Sequence, residues 1–197
     1  MISKLWKILQ TIFPPIPTIE GIKIGKNSVI IKPRQIDGQK KIFVGNQTTI
    51  MTGAWISAYE KFGQETYTPT ISIGNNVYIG GRACITSINK ITIGDGCVIS
   101  EDVYISDHVH GYNPEHGYIA KQPLISKGEV VIGDNNFIGF RVCVLPGVSL
   151  GRNCVVGANS VVTKSFPDFS MIAGVPARLI KVYSFERHDW IDPIDNS

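Results

Sequence analysis

Charge is sparse in this 197-residue chain, and none of it is gathered. The 19 Lys and Arg stand against 16 Asp and Glu, a net charge of +3 with no basic block. That is no footprint for nucleic acid, although a mildly basic surface suits a phosphate-bearing ligand. Cysteine is scarce too. Cys84, Cys97, Cys143 and Cys154 are the only four, and no two have CxxC spacing. They read as structural thiols in a reducing compartment, the cytoplasm, and no metal site is expected of them. Long apolar runs are missing as well. Met1 to Phe13 carries Ile2, Leu5, Trp6, Leu9, Ile12 and Phe13 on one helical face, broken by Lys4 and Lys7 and stopped by Pro14 and Pro15. That stretch is too short to span a bilayer and lacks a small-residue cleavage site. It is expected to be a helix over 1–16 that caps the domain or makes weak contact with a membrane surface.

From Ile132 to Pro167 a period of six replaces helical periodicity: IGDNNF, IGFRVC, VLPGVS, LGRNCV, VGANSV, VTKSFP. Each block opens on an aliphatic residue. Gly follows in four of them (Gly133, Gly139, Gly151 and Gly157), and the fifth position is mostly small. A fixed six-residue period with one inward aliphatic per unit predicts a parallel β-helix, one short strand and one turn per block. Gly is expected to take unusual dihedrals at the corner. Three blocks close one coil, so Ile138 should stack on Val156 and Val144 on Val162. Imperfect repeats begin near Ile24 and become regular at Ile73, Ile79, Ile85 and Ile91. A two-residue slip then resets the phase to Ile93, Ile99 and Ile105. The β-helix is expected over 17–167, followed by a short C-terminal segment, 168–197.

Two stretches break the repeat. Glu60 to Pro69 is a short excursion; 106–128 is a long one, and long loops in a compact domain are usually functional. The long one holds His108, His110 and His116. His108 leaves the coil directly after Ile105, so the scaffold holds it best. An unperturbed histidine side chain titrates near neutral pH, as a general base requires. His110 is the rival base. Asp107 could orient an imidazole, but adjacent side chains in extended chain point apart. Trp55, Tyr59, Tyr78 and Arg82, on earlier coils, are candidates to face the loop.

These features resemble the hexapeptide-repeat acyltransferases, closest to the O-acetyltransferases that act on sugars in surface-polysaccharide synthesis. The likeness rests on the repeats, on the Ile105-Ser106-Asp107-His108 stretch opening an extended loop, and on VGANSVVTKSFP with GVPAR near the end. It covers approximately residues 70 to 182. It implies a left-handed β-helix and acetyl-CoA as donor, with no metal. It also implies a carbohydrate or nucleotide-sugar acceptor and a homotrimer with the donor groove at each interface. A His takes the proton of the acceptor hydroxyl, which attacks the thioester directly. Gly139, Ala158 and Ser160 match small positions lining the donor groove, and Lys164 and Arg178 match phosphate-contacting residues. Phe137 stands where many relatives have Trp. N-acetylation of an amino sugar is the alternative. A zinc lyase of the gamma-carbonic-anhydrase type shares the fold and is disfavoured, because three of the four histidines cluster in one loop and the coil has none; the histidine loop and the donor motifs argue against a non-catalytic scaffold.

Overall fold

From Lys23 to Val162 the chain runs as strands of two to four residues joined by tight corners and two longer excursions. Each coil strand pairs in parallel with its counterpart one coil on. In the computed structural model, which describes residues 20–193, these strands build three sheets. The first sheet runs from Lys23–Ile24 to Ser149–Leu150 and the third from Gln35–Asp37 to Val161–Val162. The second runs from Val29–Ile30 through Val155–Val156 into a C-terminal hairpin. They are the sides of a left-handed parallel β-helix, the opposite hand to ordinary parallel crossovers. The helix expected over residues 1–16 lies outside the described residues.

Register follows the sequence period. Ile138 pairs with Val156 and Val144 with Val162. Inward columns such as Ile50, Ile79, Ile99, Ile138 and Val156 are fully buried. Burying each such side chain contributes about 1.5–3 kcal/mol, and the branched Cβ suits a pleated strand. The two-residue slip has a simple cause. Lys90–Ile93 is a four-residue strand in which Ile91 and Ile93 both point inward, stacked on Ile71 and Ile73.

The glycine expectation needs correcting. The residue after each inward aliphatic does not have a positive φ; that conformation falls at the fourth residue of the block, at Asn135, Arg141, Gly147, Asn153 and Asn159. Gly is required at the second position by close approach. A Cβ on Gly45 would lie 2.6 Å from the backbone of Gly74, and one on Gly139 2.7 Å from the Val156 carbonyl oxygen. Corners of successive coils touch backbone to backbone, and a side chain there would force the coils apart.

The six-residue pattern ends at Pro167, but stacking goes on. Phe166 bridges to Leu150, and Ser170–Gly174 pairs in parallel with Val155–Val156 before turning into an antiparallel hairpin with Ala177–Ser184.

Corners from the first sheet to the second have four residues at every coil (25–28, 45–48, 74–77, 94–97, 133–136 and 151–154), and those from second to third are equally constant. All variation in length falls at the third corner. There the chain passes directly through Ile88 and Asn89 in one coil, makes the excursion 59–69 in the coil before, and makes the long one in the coil after. The long excursion is not irregular throughout: His108–His110 pairs antiparallel with Leu124–Ser126.

Candidate active site

The two excursions and the corner between them build the site. Ser106 is still in the third sheet, paired with Thr86. The chain bends at Asp107, and this places the Asp107 and His108 side chains together instead of apart: His108 Nδ1 lies 3.0 Å from Asp107 Oδ1. Asp107 has no exposed surface and His108 keeps 8%. The carboxylate is held from below by the tight corner of the preceding coil. Ser87 Oγ donates to Oδ2 at 2.6 Å, Ile88 N–H to Oδ1 at 2.9 Å and Asn89 N–H to Oδ2 at 2.9 Å. Burial pushes this carboxyl up. The bonds from His108, Ser87, Ile88 and Asn89 outweigh it and hold Asp107 below the usual carboxylate range.

A carboxylate at Nδ1 fixes the imidazole tautomer with its proton on Nδ1, leaving the Nε2 lone pair free to accept one. His108 borders a cleft of about 310 Å³. Trp55, Tyr59, Phe62 and Tyr104 wall it, with Thr86, Cys84 and His110. Tyr59 stands edge-on to the His108 ring at 5.9 Å, and Phe62 edge-on to His110 at 5.3 Å. Trp55 is stacked by the Arg34 guanidinium at 4.6 Å, and its Nε1–H donates to Ser57 Oγ. His110 is exposed and His116 lies farther along the excursion, where its Nε2 meets the Asn113 amide at 3.4 Å.

Of the four earlier-coil candidates, Trp55 and Tyr59 line this cleft. Tyr78 and Arg82 border a different concavity, where Arg82 is paired with Asp102 at 2.7 Å. The corner Ser87-Ile88-Asn89, which holds Asp107, and the aromatic Phe62 carry no sequence signal of their own.

The residues expected at the donor groove line no part of the histidine cleft. Phe137 is an outward residue of the second sheet, 45% exposed. Gly139 and Ala158 sit at the corner between the second and third sheets. Lys164 and Arg178 are exposed; Lys164 Nζ rests 5.5 Å over the Phe166 ring. Ser160 corrects the expectation. It is fully buried, and its hydroxyl donates to the Gly157 carbonyl and accepts from Gly174 N–H, tying the last coil to the C-terminal hairpin. It has no surface to offer a ligand. Cys97 and Cys154 are likewise inward, and burial pushes both thiols up, as suits structural cysteines. Among the described residues no three His, Cys, Asp or Glu side chains gather in metal-binding geometry.

Known proteins resemble this chain in sequence and in fold. The hexapeptide repeat of succinyl-transferase matches residues 70–106 and 129–164. The galactoside O-acetyltransferase of Escherichia coli K12 is 32% identical over 154 residues, covering 76% of this chain and 70% of the relative. The chain belongs to the hexapeptide-repeat acyltransferases. A second relative is the putative lipopolysaccharide biosynthesis O-acetyl transferase WbbJ of Escherichia coli K12. It is 40% identical over 126 residues, 61% of this chain; the chain spans 64% of that protein's length. AntD, an N-acyltransferase from Bacillus cereus solved with dTDP and 3-hydroxybutyryl-CoA, has the same fold. Its TM-score is 0.66 at 21% identity, covering 95% of this chain and 90% of that one. In this hexapeptide-repeat acyltransferase the family match stops at Ser106 and resumes at Glu129. The interruption is the histidine excursion itself, while Cys84, Thr86, Tyr104 and the Ser87-Ile88-Asn89 corner of the site lie within the matched repeats.

Proposed function

We propose that this chain moves an acetyl group from acetyl-CoA to a hydroxyl of a carbohydrate or nucleotide-sugar acceptor, by direct transfer with His108 as general base. The observation that carries the reading is the Asp107–His108 pair at the mouth of an aromatic cleft. Nε2 takes the acceptor's hydroxyl proton; the oxygen attacks the thioester carbonyl; the carbon–sulfur bond breaks, and the CoA sulfur leaves as a thiol with that proton. Asp107 holds the ring and stabilises the imidazolium formed on the way. Aromatic rings with few polar groups suit the C–H face of a sugar. The O-acetyltransferase relatives, one of them a galactoside enzyme, support the transfer class.

The test is CoA release from acetyl-CoA against a panel of sugars, nucleotide sugars and amino sugars. Sugar-dependent release by the parent, lost in His108→Ala, is the expected result. Release with amino sugars alone would make the enzyme an N-acetyltransferase, and none with any acceptor would overturn the reading.

The donor assignment points to a second copy. In one chain Phe137 belongs to the second sheet and His108 follows the third, on different sides of the prism. Packing prisms side by side would bring one copy's proposed donor residues toward another's cleft. In that groove Arg178 would grip phosphate through its planar fork and Lys164 as a point charge. Equilibrium sedimentation at micromolar concentration should therefore give a homotrimer, three times the 21.6 kDa chain. A monomer would leave the donor residues stranded from the base and end the shared-site proposal.

A further inference from the structure

The long excursion is held by the short one. Residues 59–69 leave the third corner of one coil and 107–129 leave the same corner two coils later, on either side of the Ser87-Ile88-Asn89 corner. The short excursion is a closed hairpin: Lys61 pairs with Thr66, Phe62 with Glu65, and Tyr67 N–H donates to the Glu60 carbonyl at 2.9 Å. Tyr67 therefore stands at a fixed base. From there its hydroxyl reaches across to Leu124, 57 residues away, accepting from the Leu124 N–H at 2.9 Å and donating to the Leu124 carbonyl at 3.2 Å. Both backbone groups of one residue are taken by a single phenol, as a neighbouring strand's peptide would take them. Leu124 lies opposite His110 in the histidine hairpin, is buried, and lines the cleft.

The geometry points to Tyr67 as a positioning residue for the histidine hairpin, and through it for His108; this rests on His108 being the base proposed above. The Asp107 network fixes the imidazole where the hairpin leaves the coil. Tyr67 fixes the returning strand, which pairs with His108–His110 along its length. Phe62, from the same short hairpin, backs the His110 ring. Tyr67 borders the opposite side of the pin, beside Asn89 and Ser126, and does not line the cleft, so it has no access to the reacting atoms.

The test is Tyr67→Phe, which removes the hydroxyl and keeps the ring, with His108→Ala measured beside it. In Tyr67→Phe, kcat should fall roughly ten- to a hundredfold, the scale of a small misplacement of a catalytic group. KM for acetyl-CoA should stay at the parent value. Amide exchange at Leu124 should accelerate while the coil amides keep their protection. In the parent the Leu124 amide should already be protected; an unprotected one overturns the proposal without any variant. Parental kcat in Tyr67→Phe alongside an inactive His108→Ala overturns it too, as does a loss that appears wholly in KM for acetyl-CoA. If His108→Ala keeps its rate, the base assignment falls on its own. Leu124 exchange then decides the pin: unchanged by Tyr67→Phe, it overturns it; accelerated, it upholds Tyr67 as the hairpin's anchor.

Discussion

His108→Ala should lower kcat by about 10²–10⁴-fold, the usual contribution of a positioned general base, with KM for acetyl-CoA little changed. Among the described residues this ring is the one imidazole locked at Nδ1 by a buried carboxylate, with Nε2 left free at an aromatic cleft. If it is the base, its loss removes proton abstraction and leaves the residues proposed for the donor untouched, since none of them borders that cleft. His110→Ala should cost less, because that ring is exposed and braced only by the edge of Phe62. Steady-state kinetics on the two single variants decides between them. An active His108→Ala beside a dead His110→Ala would reverse the assignment and make His108 a brace for the hairpin.

Asp107→Asn should damage both fold and rate. Each carboxylate oxygen faces a backbone N–H, Ile88 at Oδ1 and Asn89 at Oδ2, so an amide in either orientation sets a donor against a donor. Breaking a buried charged network of this kind costs about 3–5 kcal/mol. In a chain of this size that is a fall of roughly 6–20 °C in Tm. With the amide nitrogen toward His108, the proton moves to Nε2 and the base is lost. With the oxygen toward it, Asn89 goes unpaired. A kcat loss comparable to that of His108→Ala is therefore expected. The pH dependence has a definite sign. The folded pKa of Asp107 lies below its unfolded value of about 3.9. Its stabilisation is complete above that value and is lost as pH falls through the folded pKa. Thermal melts of parent and variant should differ most from neutrality down to about pH 5 and converge in strong acid. A constant difference across that range would mean that the charge of Asp107 contributes nothing to stability.

The coil was legible because its physics is local and periodic: one inward aliphatic every six residues sets stacking at eighteen, as Ile138 on Val156 shows. The reason Gly is required at the corner was not legible there. One coil's sequence does not show how closely the next coil's backbone lies. His108 was visible as the first imidazole off the scaffold and Asp107 as a group that could orient one, but their contact was not, since the bend at Asp107 overrides the strand rule that sends adjacent side chains apart. Ser160 looked like a small residue lining a surface groove, whereas small residues at the fifth position point inward and pack the corner. Tyr67 was invisible, because its bonds to Leu124 cross 57 residues and two coils and leave no pattern along the chain.

Because two edges of the prism are fixed in length and only the third varies, that third edge is a port. Chain can be added there without shifting the phase of any coil above or below, since each insert starts and ends one strand apart on the same rung. Here the port has been used twice, with one undisturbed rung between the inserts to serve as their common floor. Variation in the inserts is thereby separable from the stacking of the coils. Exchanging 59–69 and 107–129 together would carry Tyr67 and Leu124 across as a matched pair, while exchanging either alone would part them.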